Sequence, residues 1–303
     1  MNGKKPLYAF FGHHKGATDW INSILAQVCD ELDLRFEVVH YPEMFGGDLN
    51  GFVEEYDVEF LSYDNADYEY VRQLGNLRGF HIVRDPRDIC VSAYYSHLYS
   101  HGLGGQITAE QRNTLQDLPQ AEGLLYEMEC REQQFKEMHG WNYDLPNVLE
   151  MKMEKLTQNP YKNLADILIF LGLVDESPLT VKKRFFYDLY RGRCRLEERT
   201  NLKFNKFAAI DQLSVERLLG IIWENEFSKK AGGRKLGEEN VKSHYRKGIP
   251  GDWKNHFEDT HYAYFLENYN DLLLKLDYEN DPNWVTEYSQ TVIREQRSLG
   301  AEL

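Results

Sequence analysis

"LYAFFGHHKGATDW", residues 7–20, joins an apolar run to a turn, Lys15-Gly16-Ala17-Thr18, and then to the start of an amphipathic helix. The run 7–13 reads as a buried strand. Residues 20–32 put Trp20, Ile21, Ile24, Leu25, Val28, Cys29 and Leu32 on one helical face. A strand that ends in a small-residue turn and feeds a helix directs the first-turn N–H groups and the positive end of the helix dipole at the turn. With a lysine beside them these groups make an anion cradle. The stretch lacks the G-K-[ST] ending of a Walker A loop. Taken by itself, the stretch reads first as an ordinary strand–turn–helix with an exposed lysine.

Four more runs have the same strand character: "RFEVVHY" (35–41), "VEFLSY" (58–63), "GFHIVR" (79–84) and "NVLEMKM" (147–153). Residues 161–172 form a second helical stripe through Leu164, Ile167, Leu168 and Leu171. Nearly continuous apolar strands alternating with amphipathic helices predict an α/β fold: a P-loop-type parallel sheet of about five strands, with helices on both faces. No repeat or linker divides the chain, so residues 1–303 are expected to form a single domain, with long loops about 100–120 and 229–252. In such sheets ligands bind at the carboxyl ends of the strands.

The formal charge of −14 disfavours nucleic acid, and any anion must be held locally. Cys29, Cys90, Cys130 and Cys194 lie far apart with no CxxC pair, which suits reduced thiols and a cytoplasmic protein. The apolar run near the start is too short for a membrane span, and no membrane partner is expected. No metal-ligand cluster stands out. His13 and His14, adjacent on a strand, would point to opposite faces.

Two further stretches suit an anion. In "GFHIVRDPRDICVSAYYSH", Arg84 closes a strand and a helix opens after Pro86 with Asp88 as its cap, so that Arg84 and Ser92 can converge. A local salt bridge of Arg84 with Asp85 or Asp88 is the simpler alternative. In "HYRKGIPGDWKNHF", Arg246 and Lys247 supply charge, while Gly248 and Gly251 permit close backbone approach. Three such sites in one acidic chain indicate a ligand with several separate anionic groups.

Taken together, these residues resemble the cytosolic-type sulfotransferases, which use 3′-phosphoadenosine 5′-phosphosulfate (PAPS) as co-substrate and release 3′,5′-bisphosphoadenosine (PAP). The family's 5′ loop reads roughly K-S-G-T-T-W, and "KGATDW" (15–20) keeps the lysine, one threonine and the tryptophan. Its 3′-phosphate element spaces an arginine and a serine as Arg84 and Ser92 are spaced. Its late signature, R-K-G-x-x-G-x-W-K, is met in full by "RKGIPGDWK" (246–254). The resemblance implies that Lys15, Gly16, Ala17, Thr18 and Asp19 line the phosphosulfate and that Trp20 lies along the adenine. It implies a further adenine contact from Phe227 and a 3′-phosphate clamp of Arg84, Ser92, Arg246, Lys247 and Gly248. Trp253 is expected to anchor its loop in the core. Sulfuryl transfer is an in-line displacement that needs positioning and charge stabilisation but no metal in principle.

The departures from this pattern are specific. Ala17 and Asp19 replace a glycine and a threonine, Met153 stands where a tyrosine is common, and no dimer motif follows Trp253, leaving monomer or homodimer open. The family's catalytic histidine has no counterpart in "EFLSYDNADYEY" (59–70). Asp64 is the first candidate for the base, His14 and His40 stand in reserve near strand ends, and His81 reads as structural. An ordinary carboxylate is a weak base for a hydroxyl. Residues 36–71 hold ten Asp or Glu and no Lys or Arg; such a run is usually a solvated face, and beside the expected acceptor site it would also disfavour anionic small-molecule acceptors and steer cationic ones, an amine or guanidinium. The rival readings are a protein that binds PAPS or PAP without turnover, and a P-loop small-molecule kinase.

Overall fold

The five apolar runs form β1 (Leu7–Phe11), β2 (Phe36–Val39), β3 (Phe60–Tyr63), β4 (Leu77–Val83) and β5 (Val148–Lys152). In the computed structural model, which describes residues 5–104, 107–177, 180–200, 210–286 and 288, all four neighbouring pairs are parallel. The order is β2-β3-β1-β4-β5, which makes β1 the central strand. Parallel neighbours need crossovers, so helices fall between strands and cover the sheet.

One face of the sheet presents Phe10, Phe60, Phe80, Ile82 and Met151 to a core shared with three helices, Thr18–Leu32, Pro160–Leu171 and Val215–Glu224. The helix Thr18–Leu32 contributes Ile21, Ile24, Leu25, Val28, Cys29 and Leu32, each aliphatic side chain worth about 1.5–3 kcal/mol on burial. The helix Pro160–Leu171 follows from local chemistry. Asn159 caps it by accepting from the Lys162 N–H at 3.2 Å, Pro160 fills the first turn, and Gly172 at φ 78° closes it. The opposite face buries Phe11, Leu61, Tyr63 and His81, with Phe45 edge-on to Tyr63 and Tyr143 beside His81.

Contacts are densest within two units: Met1–Val83 with Asn142–Lys230, and Arg84–Trp141 with Ala231–Leu303. The first contains the whole sheet. The second is helical, built on Pro86–Tyr95, Ala109–Asp117, Gln120–Cys130, Glu132–Gly140 and Asp259–Lys275. Its core holds Phe135, Trp141, Trp253, Tyr262 and Phe265. No helix among the described residues is long and apolar enough to cross a membrane.

Three local expectations are corrected. The stretch 100–120 is not all loop, because Ala109–Asp117 is helical behind a capping box in which Thr108 and Gln111 exchange hydrogen bonds. The cap of the helix Pro86–Tyr95 is Asp85, whose side chain accepts from the Arg87 N–H at 2.9 Å, rather than Asp88. The first strand stops at Phe11, so His13 and His14 lie in the turn instead of alternating on a strand. Residues 231–251 carry neither helix nor strand, but the ends of the expected loop 229–252 lie in the helix Phe227–Lys230 and the 3₁₀ turn Asp252–Asn255.

Candidate active site

β1 delivers the chain into a turn in which Lys15 and Ala17 both take left-handed backbone, φ 64° and 66°. The Gly16 N–H donates to the His13 carbonyl at 2.8 Å, and a Cβ on Gly16 would meet that oxygen at the same distance, so only glycine fits. Thr18 then opens the helix with Ala17 as N-cap and no side-chain cap, an arrangement that can present first-turn N–H groups to an anion. Glycine, which the resembled motif has there, adopts this left-handed backbone without strain. Alanine in this conformation costs roughly 1 kcal/mol or more. Asp19 is exposed in the first turn and does not cap it, and Lys15 and His14 are part-exposed in the turn.

Trp20 is tied down: its indole N–H donates to the Asn225 carbonyl at 2.9 Å, and Asn225 is itself buried and bonded to the Ile221 carbonyl. Phe227, two residues further on, opens the short helix Phe227–Lys230. The tether thus brings Trp20 to the segment that carries Phe227.

Asp64 follows β3 and is buried. Both carboxylate oxygens accept from the Asn22 amide at 3.0 Å, Oδ1 accepts from the Ser62 hydroxyl at 2.9 Å, and Oδ2 faces His40 Nδ1 at 3.2 Å. His40 follows β2, and its pKa is raised above the usual imidazole value by the hydrogen bond to Asp64, with Asp19 adding to it. Asn22 and Asp19 are three apart on the helix that the anion loop opens, so the His40–Asp64 pair packs against its first turns.

The acidic run 36–71 separates into individual tasks. Asp48 and Asp67 cap short helices, Asp57 and Glu59 pair with Arg35, and Glu69 pairs with Arg72, the two arginines flanking the run. Asp64 alone of the ten is buried.

In the helical unit, Arg246 lies over the Tyr95 ring, 4.7 Å from its centroid, on the helix that also carries part-buried Ser92. Arg84 stands at the head of the same segment and lowers the pKa of Asp88 against the larger, raising effect of burial. Gly248 adopts φ 72°. Both cations already have a carboxylate, because buried Asp252 meets Arg246 Nη2 and Lys247 Nζ at 2.5 Å each. Arg246 also pairs with Glu239, and Asn255 and His256 complete the shell around Asp252. These partners hold the Asp252 carboxyl far below the usual range in spite of burial. Glu239, Asp252 and His256 converge closely enough to hold a cation, but Arg246 and Lys247 are the cations they meet.

Two residues hold this loop: Arg234, which sequence reasoning passed over, and Asp88, which it read as a helix cap. Arg234 spreads its guanidinium over the carbonyls of Ala231, Glu238, Tyr245 and Arg246 and the Ser243 hydroxyl. Asp88 accepts from the Gly251 and Trp253 N–H groups at 2.6 and 3.0 Å, seating the turn on the helix Pro86–Tyr95. Trp253 is fully buried as expected, with Arg87 stacked 3.9 Å above it. A lone arginine in "GGRKL" carries no pattern by which it could be singled out.

The sulfotransferase-domain family model matches residues 11–230, from the end of β1 through the segment that carries Phe227. The chain belongs to the sulfotransferase family.

Among solved structures, the mouse sulfotransferase SULT7A1 complexed with PAP is 17% identical and aligns over 95% of this chain and 91% of its own, with a TM-score of 0.53. A retinol dehydratase in complex with androsterone and inactive cofactor PAP is 16% identical over 89% and 82% of the two chains, TM-score 0.47. A sulfotransferase from Alicyclobacillus acidocaldarius is 12% identical over 67% and 98%, TM-score 0.35. The first is a likeness of fold. No curated protein matches this sulfotransferase in sequence at a significant level. The loop that carries Arg246 and Lys247 lies beyond the matched span, so its assignment rests on the motif and on the geometry above.

Proposed function

We propose that this sulfotransferase moves the sulfuryl group of PAPS to a hydroxyl or amino group of a small molecule and releases PAP. The observation that carries the proposal is the turn after the central strand, where left-handed Lys15 and Ala17 open an uncapped helix. Such a turn presents several N–H groups to one point, with Lys15 beside them to supply an ammonium, and in this reading charge builds there on the leaving phosphate. Lys15, Gly16, Ala17 and Thr18 hold the 5′-phosphosulfate in this reading. Trp20 and Phe227 serve the adenine, which the Trp20–Asn225 tether supports.

In the helical unit, Arg84, Ser92, Arg246, Lys247 and Gly248 hold the 3′-phosphate. The support is that Arg246 reaches the Ser92 helix and that two adjacent cations are already arranged around a carboxylate. Asp252 there acts as a resident anion that keeps the pair aligned.

The acceptor is neutral or cationic in this proposal. Exposed Asp19 and buried Asp64 set a negative field around His40, which opposes an anionic acceptor and favours an amine. The place of work is the cytoplasm, as the free thiols Cys29, Cys90 and Cys130 suggest.

PAPS offered with a panel of hydroxylated and amino metabolites, read by the mass shift of a sulfated product, tests the activity. Thermal shift tests the donor site: stabilisation by PAP and none by ATP–Mg is expected. Stabilisation by ATP–Mg alone would replace the proposal with a kinase.

A further inference from the structure

Asp64 stands close to where the resembled family keeps its histidine, yet its oxygens are engaged on several sides. Asn22 spans both, Ser62 donates to one, and His40 Nδ1 faces the other. With both oxygens turned to protein groups and its side chain 5% exposed, Asp64 is poorly placed to reach a substrate hydroxyl. His40 is placed the other way round. Its side chain keeps 44% of its surface exposed while that of Asp64 keeps 5%. With Nδ1 on the carboxylate, Nε2 is the ring nitrogen left to meet an acceptor.

The register explains how the pair forms. Val39 and Tyr63 are partners in the parallel β2–β3 ladder, so His40 and Asp64 are the next residues at the carboxyl ends of the two strands. The Asp64 N–H still donates to the Val39 carbonyl at 2.9 Å, and the Asn65 amide holds the His40 carbonyl at 3.0 Å, which fixes both backbones.

We infer that His40 is the catalytic base and Asp64 its positioning residue, an inference that rests on the sulfotransfer reading above. The base has moved one strand over, from the end of β3 to the end of β2. In the step, a lone pair of the acceptor oxygen or nitrogen forms the new bond to sulfur. The bond from sulfur to the bridging oxygen of PAPS breaks, and its electron pair stays on the 5′-phosphate of PAP. The acceptor's proton passes to His40 Nε2, and Nδ1–H remains donated to Asp64, which stabilises the imidazolium. The charged groups acting on His40 are Asp64 beside Nδ1 and Asp19 from the helix. Both favour the protonated ring that the step creates.

The test uses the full chain, PAPS and the acceptor found by the panel, with water as acceptor (release of inorganic sulfate) for comparison. His40→Gln, at a half-exposed position, is expected to keep PAP-induced thermal stabilisation and lose about 10²-fold or more in kcat. Added imidazole is expected to restore part of the activity of His40→Ala. The acid limb of the wild-type rate profile should coincide with the His40 titration followed by NMR. Asp64→Asn should shift that titration to lower pH. Wild-type turnover by His40→Gln, or a His40 titration indifferent to Asp64→Asn, overturns the dyad. A wild-type protein that binds PAP but transfers sulfate to nothing on the panel, and to no water, instead defeats the sulfotransfer reading itself.

Discussion

The Nε2 atoms of His13 and His81 stand 2.9 Å apart in the interior, and His81 Nδ1 is 2.6 Å from a carboxylate oxygen of Glu150. The carboxylate fixes the tautomers. His81 donates from Nδ1 to Glu150 and accepts at Nε2 from His13, which leaves His13 Nδ1 as a buried acceptor without a hydrogen-bond partner. This chain of three runs from the anion-loop segment across β4 to β5.

Acid should therefore destabilise the fold. Burial lowers the His81 pKa to about 3 and that of His13 well below its usual value, whereas both titrate near 6.5 when unfolded. Between those values the unfolded chain binds more protons than the folded one. Stability is then full above pH 6.5 and falls as the pH drops towards 3, by up to about 1.4 kcal/mol per pH unit for each group. Urea unfolding between pH 7.5 and 4 should show this slope, and His81→Gln should flatten it. An unchanged slope in the variant would place the effect elsewhere.

Ala17→Gly should stabilise the protein. The residue sits at φ 66°, and glycine removes the strain of that conformation at some cost in unfolded-chain entropy. A gain of about 0.5–1 kcal/mol in urea unfolding is expected, with PAP binding retained. Ala17→Val should lose stability instead, because a β-branched side chain tolerates this region least.

Arg246→Ala should weaken PAP binding about tenfold or more while leaving affinity for its 3′-hydroxyl analogue adenosine 5′-monophosphate nearly unchanged. Titration calorimetry with the two nucleotides reads the difference. Equal losses would show that Arg246 holds the loop through Asp252 and Glu239 and does not meet the 3′-phosphate.

Arg234→Lys should open the loop 231–251. A lysine keeps the charge but lacks the planar fork that reaches the Ala231, Glu238, Tyr245 and Arg246 carbonyls at once. Limited proteolysis should cut the variant in this loop faster than the parent, with PAP protecting both. Equal cutting rates would show that Asp88, through Gly251 and Trp253, suffices to hold the loop.

Much of this was legible in the chain. Four strands fall within the apolar runs and β4 begins two residues ahead of its run, at Leu77, while the two helical stripes recur at Thr18–Leu32 and Pro160–Leu171, because periodic burial leaves a periodic pattern. The helix at 109–117 was missed, since it buries only Leu115 and announces itself mainly by its capping box. Asp85 and Asp88 were exchanged as caps because both flank Pro86 and either carboxylate suits the role in sequence.

The sequence by itself determined the order of the elements, the glycine-bearing turn after β1 and the basic motif at 246–254, all of which depend on neighbours in the chain. Only the tertiary structure decided the partners. His40 meets Asp64 because Val39 and Tyr63 are paired across β2 and β3, and His81 meets Glu150 because they are paired across β4 and β5. A parallel register aligns residues that are distant in number, and no local propensity encodes that offset. Which residue stands beside Asp64 is therefore set by how two strands line up, and each strand taken alone is silent about it.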